Sequence, residues 1–338
     1  ETAMEQYKIV FTDDRFGGRY QEYELAQLHE MDILPVIYPE GTFKTDADVI
    51  EACKDVDAIF LNLLPNFKNE IVLRELTRCK VINRYGVGYD NVNVPACTKL
   101  GIQVTYVPDY CMYDVSDYAL ALMLACLRQI PQRDCAIRAG KWNIPSNGLS
   151  HRLKGSTLGL IGCGRIARCL AKKVSGFEMN AILGYDPYIP TDTLAAMGIK
   201  KVELEELLER SDIVSLHMPV TDETRGIMNA RTIGMMKKTA ILVNTGRGPL
   251  IEDEALVDAL RNHVIGAAGL DTHCVEPLPK DSPYFQLENV ILTDHAAYGT
   301  VEGERELRIK SGRNVAHILQ KKPLESIYMV NTVENGRI

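Results

Sequence analysis

A short β-prone run, Leu158 to Ile161, passes straight into glycines at 162 and 164 and then into a helix-compatible run, Arg165 to Val174. With Ala167 in the last place this is G-x-G-x-x-A between a predicted strand and a predicted helix, the dinucleotide fingerprint in the context it requires. Gly162 allows the tight turn, Gly164 lets the backbone approach a pyrophosphate, and Ala167 is small enough for the helix to pack close to its strand. The unpaired N–H groups and the positive dipole end of that helix then face the phosphates. A second run, Ala181 to Tyr185, ends in Asp186, at the distance expected of the acid that binds the adenosine ribose hydroxyls. Asp186 would repel a 2′-phosphate, which favours NAD over NADP.

A chain of 338 residues is long enough for two domains. Its 46% hydrophobic and 25% charged residues are ordinary for a globular protein, and a net charge of -7 without a basic stripe gives no footprint for nucleic acid. No apolar run of membrane-spanning length and no signal-peptide pattern is present, so a cytoplasmic protein is expected. Glu1 to Ala3, ahead of Met4, read as an addition to the natural chain. The nine cysteines are scattered, with no C-x-x-C and no zinc-like spacing to histidine, which points to reduced thiols and no metal. Cys163, inside the glycine loop, reads as a filler that could still make the protein sensitive to thiol modification.

The first hundred residues alternate between strands (Lys8–Phe11, Ile33–Ile37, Asp57–Leu61, Lys80–Asn83) and helices (Tyr20–Glu30, Asp46–Cys53 capped by Thr45, Glu70–Thr77), arguing a small parallel α/β domain. Tyr85, Gly86, Val87 and Gly88 follow a strand end, where exposed backbone N–H groups can hold a carboxylate; a plain turn is the competing reading. After a strand over Ile102–Thr105, the run Asp114–Leu127 predicts a helix apolar almost all round after its first turn, buried in its own domain or against a second subunit. Ala139 to Leu153, with the only tryptophan, Trp142, reads as an irregular excursion. Beyond the fingerprint, predicted strands end at His217, Asn244, Asp271 and Asp294-His295, the expected location for chemistry in a doubly wound sheet. A final helix spans roughly Val301–Leu319, long enough to cross between domains.

A nicotinamide enzyme acting on a hydroxy or oxo acid needs a cation to orient the substrate, a proton donor at the reacting oxygen, and a group that keeps the donor protonated. Arg247 between Gly246 and Gly248 suits the first, His295 the second and Glu276 the third. Each has a plainer reading, as a surface ion-pair partner, a strand-end histidine and the start of a turn before Pro277. Residue types and spacing leave these alternatives open.

The chain resembles the D-isomer-specific 2-hydroxyacid dehydrogenase family through Tyr85-Gly86-Val87-Gly88-Tyr89-Asp90-Asn91, Gly162-Cys163-Gly164-Arg165-Ile166-Ala167, Ser215-Leu216-His217-Met218-Pro219-Val220-Thr221, Asn244-Thr245-Gly246-Arg247-Gly248-Pro249-Leu250, Gly269-Leu270-Asp271 with Glu276-Pro277, and Asp294-His295-Ala296-Ala297. The resemblance implies two Rossmann-like, flavodoxin-like parallel-sheet domains with the active site in the cleft between them. It implies a discontinuous substrate-binding domain, 1–106 plus 305–338, and an NAD-binding domain, 107–304. Arg247, Glu276 and His295 map onto the family's catalytic set. The backbone at Val87 and Gly88, beside Tyr85, would hold the substrate carboxylate. Arg165 and Ile166 would touch the pyrophosphate, Val115 would lie near the nicotinamide, and His217 and Thr245 would line the cofactor cleft. Asp271 would bond the carboxamide or hold its orientation. The resemblance implies a homodimer held by the region that includes the long helix after residue 114. The expected reaction interconverts a small 2-oxo acid and its D-2-hydroxy acid with NAD.

Two positions depart from the family pattern: Asp294 stands where the catalytic His is usually preceded by Pro, and Gly246 where Ala or Ser is commoner. With nothing after residue 338, the longer, effector-controlled phosphoglycerate dehydrogenases are expected to be a poorer match, and the absence of Gln before the His sets formate dehydrogenases apart. Two alternatives stay open on the same fold: an NAD(H)-sensing, corepressor-like binding protein with little turnover, and an enzyme for an unusual substrate such as phosphite.

Overall fold

Short apolar runs alternating with helices build two units in the computed structural model, which describes residues 6–14, 21–142, 150–333 and 336–337. One unit comprises the described residues up to Cys111 and those from Thr300 onward; the other runs from Met112 to Gly299. The first unit begins with β1 (Tyr7–Asp14), α1 (Gln21–Gln27), β2 (Ile33–Pro39), α2 (Asp46–Cys53), β3 (Ala58–Leu61), α3 (Glu70–Glu75), β4 (Val81–Arg84), α4 (Val94–Lys99) and β5 (Gln103–Thr105). Its strands form one parallel sheet in the order β2-β1-β3-β4-β5. Every residue of β3, β4 and β5 is buried, as expected of strands covered on both faces. Thr45 caps α2 in a reciprocal box with Asp48, and Asn69 caps α3. The unannounced helix α4 carries its own signal, an Asn93 cap with Pro95 in the first turn.

The second unit contains α5 (Met112–Arg128), α6 (Ile130–Arg138), β6 (Thr157–Ile161), α7 (Arg165–Val174), β7 (Ala181–Tyr185), α8 (Thr191–Ala195), β8 (Lys200–Lys201), α9 (Leu204–Arg210), β9 (Ile213–Leu216), α10 (Ala230–Gly234), β10 (Ile241–Asn244), α11 (Asp253–Arg261), β11 (Ala267–Leu270) and β12 (Val290–Leu292). Its parallel sheet runs β12-β11-β10-β9-β6-β7-β8, so strand order reverses beside β6. Ligands bind at such a reversal, beyond the carboxyl ends of the strands. The helix expected over Asp114–Leu127 forms, but it is buried on one side only: Val115, Ala119, Leu122, Met123 and Cys126 are covered, while Tyr113 is 65% exposed. Gln129, in the left-handed region at φ 55°, ends α5 and α6 follows, a helix with no buried residue. Trp142 is exposed and Leu153 buried; residues 143–149 of that excursion lie outside the described residues, as does Tyr20 at the expected start of α1.

The last helix, α12 (Val301–Leu319), returns to the first unit and packs on α1. Their contact buries charge. Arg308 donates to Glu24 at 3.1 Å and to Glu304 at 2.7 Å, and its guanidinium lies 4.7 Å from the centre of the Tyr85 ring. Burial pushes the Glu24 carboxyl up, against the pull of Arg308 and the Tyr85 hydroxyl. No helix among the described residues is long and apolar enough to cross a membrane, and none of their His, Cys, Asp or Glu side chains cluster in a group that could hold a metal.

Candidate active site

In the second unit the candidate residues lie at the carboxyl ends of neighbouring strands. Across the sheet they run from His295 after β12, through Asp271, Arg247 and His217 after β11, β10 and β9, to the glycine loop after β6 and Asp186 after β7.

At the fingerprint, Gly162 has φ +84°, and a Cβ there would lie 2.8 Å from the Met218 nitrogen. The residue can therefore only be glycine if the loop is to lie against the end of β9. Gly164 caps α7 with no side-chain bond to the helix start and with open space where a Cβ would be, leaving the first N–H groups available to an anion. Arg165 is exposed, Ile166 half-buried and Ala167 fully buried against the sheet. Asp186 accepts from the Cys163 N–H at 2.9 Å with one oxygen and from the Tyr188 and Ile189 N–H groups with the other. This fixes the carboxylate beside the loop, and Oδ2, which accepts a single bond, retains capacity for a hydroxyl donor. Cys163 itself is buried and its thiol is pushed up to about 12 by burial, so it fills space rather than offering a reactive thiolate. Thr245 Oγ1 is buried without a hydrogen-bond partner. An uncapped helix start, a glycine cradle and an orphaned hydroxyl together fit a dinucleotide.

His217 pairs its Nε2 with Ser215 Oγ at 2.8 Å, and burial pushes its imidazole down to about 4, so it is neutral. Val115 is buried on α5.

Arg247 follows β10 in a turn strapped by the buried Asn244. That side chain accepts from the Gly246 N–H at 3.0 Å and donates to the Arg247 carbonyl at 2.9 Å. Gly248 then brings this turn against the next loop, where a Cβ would lie 2.0 Å from the His273 carbonyl carbon. That loop carries Glu276, whose Oε1 accepts from the His273 N–H at 2.9 Å and whose Oε2 lies 2.8 Å from His295 Nδ1. Burial alone would raise the Glu276 carboxyl, but the bonds from His295 and His273 outweigh it and hold the group below the ordinary carboxylate range.

Asp271 is fully buried, and its carboxylate accepts from Thr293 Oγ1 at 2.7 Å, Ala296 N at 2.9 Å and Ala297 N at 3.0 Å, while its carbonyl accepts from His295 N. It is spent on the segment that carries His295. Asp294 is exposed, and the partner of His295 Nδ1 is Glu276. Tyr298 stands edge-on to the His295 ring at 6.1 Å.

In the first unit, Val87 is 37% exposed and Gly88 half-buried on the loop after β4, which is tied back by Asn91 to the Asn62 and Leu63 carbonyls. Tyr85, read from the sequence as a substrate-side residue, turns inward: it is 7% exposed, stacks on Phe60 and donates its hydroxyl to Glu24 at 2.5 Å. What it gives the loop is support from beneath. Sequence reasoning missed Ser215, Thr293 and His273; only the position of His273 between Asp271 and Glu276 hinted at its place.

Comparison with known proteins shows which family the chain is similar to. Residues 120–297 match the family model described as D-isomer specific 2-hydroxyacid dehydrogenase, NAD binding domain. A protein named glyoxylate reductase from Korarchaeum cryptofilum is 40% identical over 257 residues, 75% of this chain and 77% of that protein. A protein named D-3-phosphoglycerate dehydrogenase from Methanocaldococcus jannaschii is 37% identical over 318 residues; the match takes in 92% of this chain but 60% of that longer protein. The crystal structure of D-lactate dehydrogenase from Aquifex aeolicus, complexed with NAD and lactic acid, superposes with a TM-score of 0.84 at 25% identity, covering 95% of this chain and 98% of that one.

Proposed function

Because the chain belongs to the D-isomer-specific 2-hydroxyacid dehydrogenase family, whose members are NAD-dependent oxidoreductases acting on a CH–OH group, we propose that it interconverts a small 2-oxo acid and its D-2-hydroxy acid through Arg247, Glu276 and His295. Glyoxylate, the substrate in the name of the 40%-identical relative, is the first candidate. The observation that carries the reading is the 2.8 Å contact between His295 Nδ1 and Glu276 Oε2, which leaves Nε2 for the substrate.

NAD, when bound, supplies the hydride for reduction and accepts it in oxidation. The residues that would hold it are the glycine loop with Arg165 and Ile166 at the pyrophosphate, Asp186 at the ribose, and Val115, His217, Thr245 and the Asp271 segment toward the nicotinamide. The Met112–Gly299 unit is thus the NAD-binding domain and the other unit the substrate-binding one. The backbone N–H groups of Val87 and Gly88 take the substrate carboxylate. Arg247 forks onto carboxylate and carbonyl oxygens, drawing electron density from C2. His295, kept as imidazolium by the Glu276 carboxylate, gives its Nε2 proton to the forming alkoxide; in oxidation the neutral ring takes the hydroxyl proton at the same atom. The chain works as a homodimer in this reading, because α6 leaves Ile130 55% and Ile137 51% exposed.

The test is the pH dependence of kcat/KM for reduction. Reduction of a 2-oxo acid by NADH takes up a proton, so the profile has an alkaline limb. Glu276→Gln removes the charge that favours the imidazolium and moves that limb to lower pH by on the order of one unit. An unmoved limb removes Glu276 from its role.

A further inference from the structure

We propose that His273 is a positioning residue that clamps the Glu276 carboxylate and the backbone leading into His295 into one rigid couple. Its two donors point to the two halves of that pair. The backbone N–H of His273 holds Glu276 Oε1 at 2.9 Å, and its ring Nε2 lies 2.8 Å from the carbonyl oxygen of Thr293, two residues ahead of His295. A carbonyl only accepts, so Nε2 carries the proton and, in the neutral ring, Nδ1 is a bare acceptor. That Nδ1 is buried with no partner, and the residue is 8% exposed. Stability alone would favour an apolar side chain in such a place, since an unsatisfied buried acceptor is costly. What the ring supplies is one directed N–H, which fixes the spacing between Glu276 and His295. Thr293 is pinned from the other side by its hydroxyl on Asp271.

Asp271 faces the His295 backbone from the end of β11, and Arg247 enters through Gly248, whose backbone abuts that of His273. Tyr298 stands edge-on to the His295 ring, Asp294 is exposed, and the Cys274 thiol is pushed up to about 12 by desolvation and stays neutral. The proposal rests on the acid–base reading of Glu276 and His295.

The experiment compares His273→Leu, which removes the donor, with His273→Gln, whose amide N–H reaches about as far as Nε2. Thermal unfolding is recorded alongside; if the Leu variant does not fold, His273→Phe, which keeps a ring without the N–H, takes its place. The apolar variant should lose about tenfold in kcat, the scale seen when a residue orienting a functional ligand is removed. Its alkaline limb for reduction should fall by roughly half a pH unit, as the loosened carboxylate supports the imidazolium less well. KM for NADH should stay unchanged, because the hydrogen bonds of His273 run to Glu276 and Thr293, and the Gln variant should recover both kcat and the limb. Glu276→Gln, measured in the same buffers, separates the two ideas. If it moves the limb and the apolar variant does not, the clamp is wrong and the acid–base pair stands. If neither moves it, both fall together.

Discussion

His295 sits at φ +57°, a backbone state that costs a non-glycine residue about 1–3 kcal/mol. Asp271 holds it there: the Asp271 carbonyl takes the His295 N–H, and its buried carboxylate takes the next two N–H groups. The strain aims the imidazole so that Nδ1 meets Glu276. Arg247 has the complementary task at the substrate; its turn is strapped by Asn244, and the Arg247 Nη1 adds one bond to the Gly246 carbonyl at 2.8 Å. Arg247→Ala should therefore leave the fold intact and lower kcat/KM by roughly 10²–10³, with both kcat and KM affected. Arg247→Lys should recover only part of this, since an ammonium cannot fork onto two oxygens. Steady-state kinetics on the best substrate decides it, and an alanine variant with parental kcat/KM would remove the residue from the site.

Three loops from adjacent strands must meet for these residues to act together, and Gly248 is where two of them touch. A methyl group there would sit 2.0 Å from the His273 carbonyl carbon and 2.2 Å from its oxygen. Gly248→Ala should destabilise the protein by about 1–3 kcal/mol and should cost activity well beyond that loss, because it drives the Arg247 turn away from the Glu276 loop. Thermal unfolding and kcat measured on the same preparation test this; full activity would show that the loops need not touch. The elements themselves were largely legible. A continuous apolar strand such as Ala58–Leu61 announces itself, as does the glycine turn between β6 and α7. The helix α6 did not, since it buries no side chain in its own unit. The Glu276–His295 bond joins residues 19 apart in sequence across two loops, which only a motif could suggest. The inward turn of Tyr85 and the ring bond of His273 depend on side-chain directions that no periodicity encodes.

At the scale of the molecule both sheets are doubly wound. The first reverses at β1 in the order β2-β1-β3-β4-β5, and the second reverses at β6, where the glycine loop that suits a dinucleotide lies. The homodimer proposed above would cover Tyr113, Ile130 and Ile137, which α5 and α6 leave exposed. Light scattering at micromolar concentration should return twice the 37.8 kDa of one chain. Ile130→Glu with Ile137→Glu should halve that mass, whereas a monomeric parent would refute the assembly. The central claim is that this arrangement turns over a 2-oxo acid at the expense of NADH. The direct measurement is NADH oxidation, followed by absorbance, with glyoxylate, hydroxypyruvate, pyruvate, 2-oxoglutarate, phenylpyruvate and 3-phosphohydroxypyruvate, NADPH being run alongside and the configuration of any chiral product determined. The account predicts rapid consumption of NADH with one small 2-oxo acid, a D-configured alcohol wherever the product is chiral, and weak use of NADPH because Asp186 repels its 2′-phosphate. Tight NADH binding with no turnover on any of these acids would contradict it.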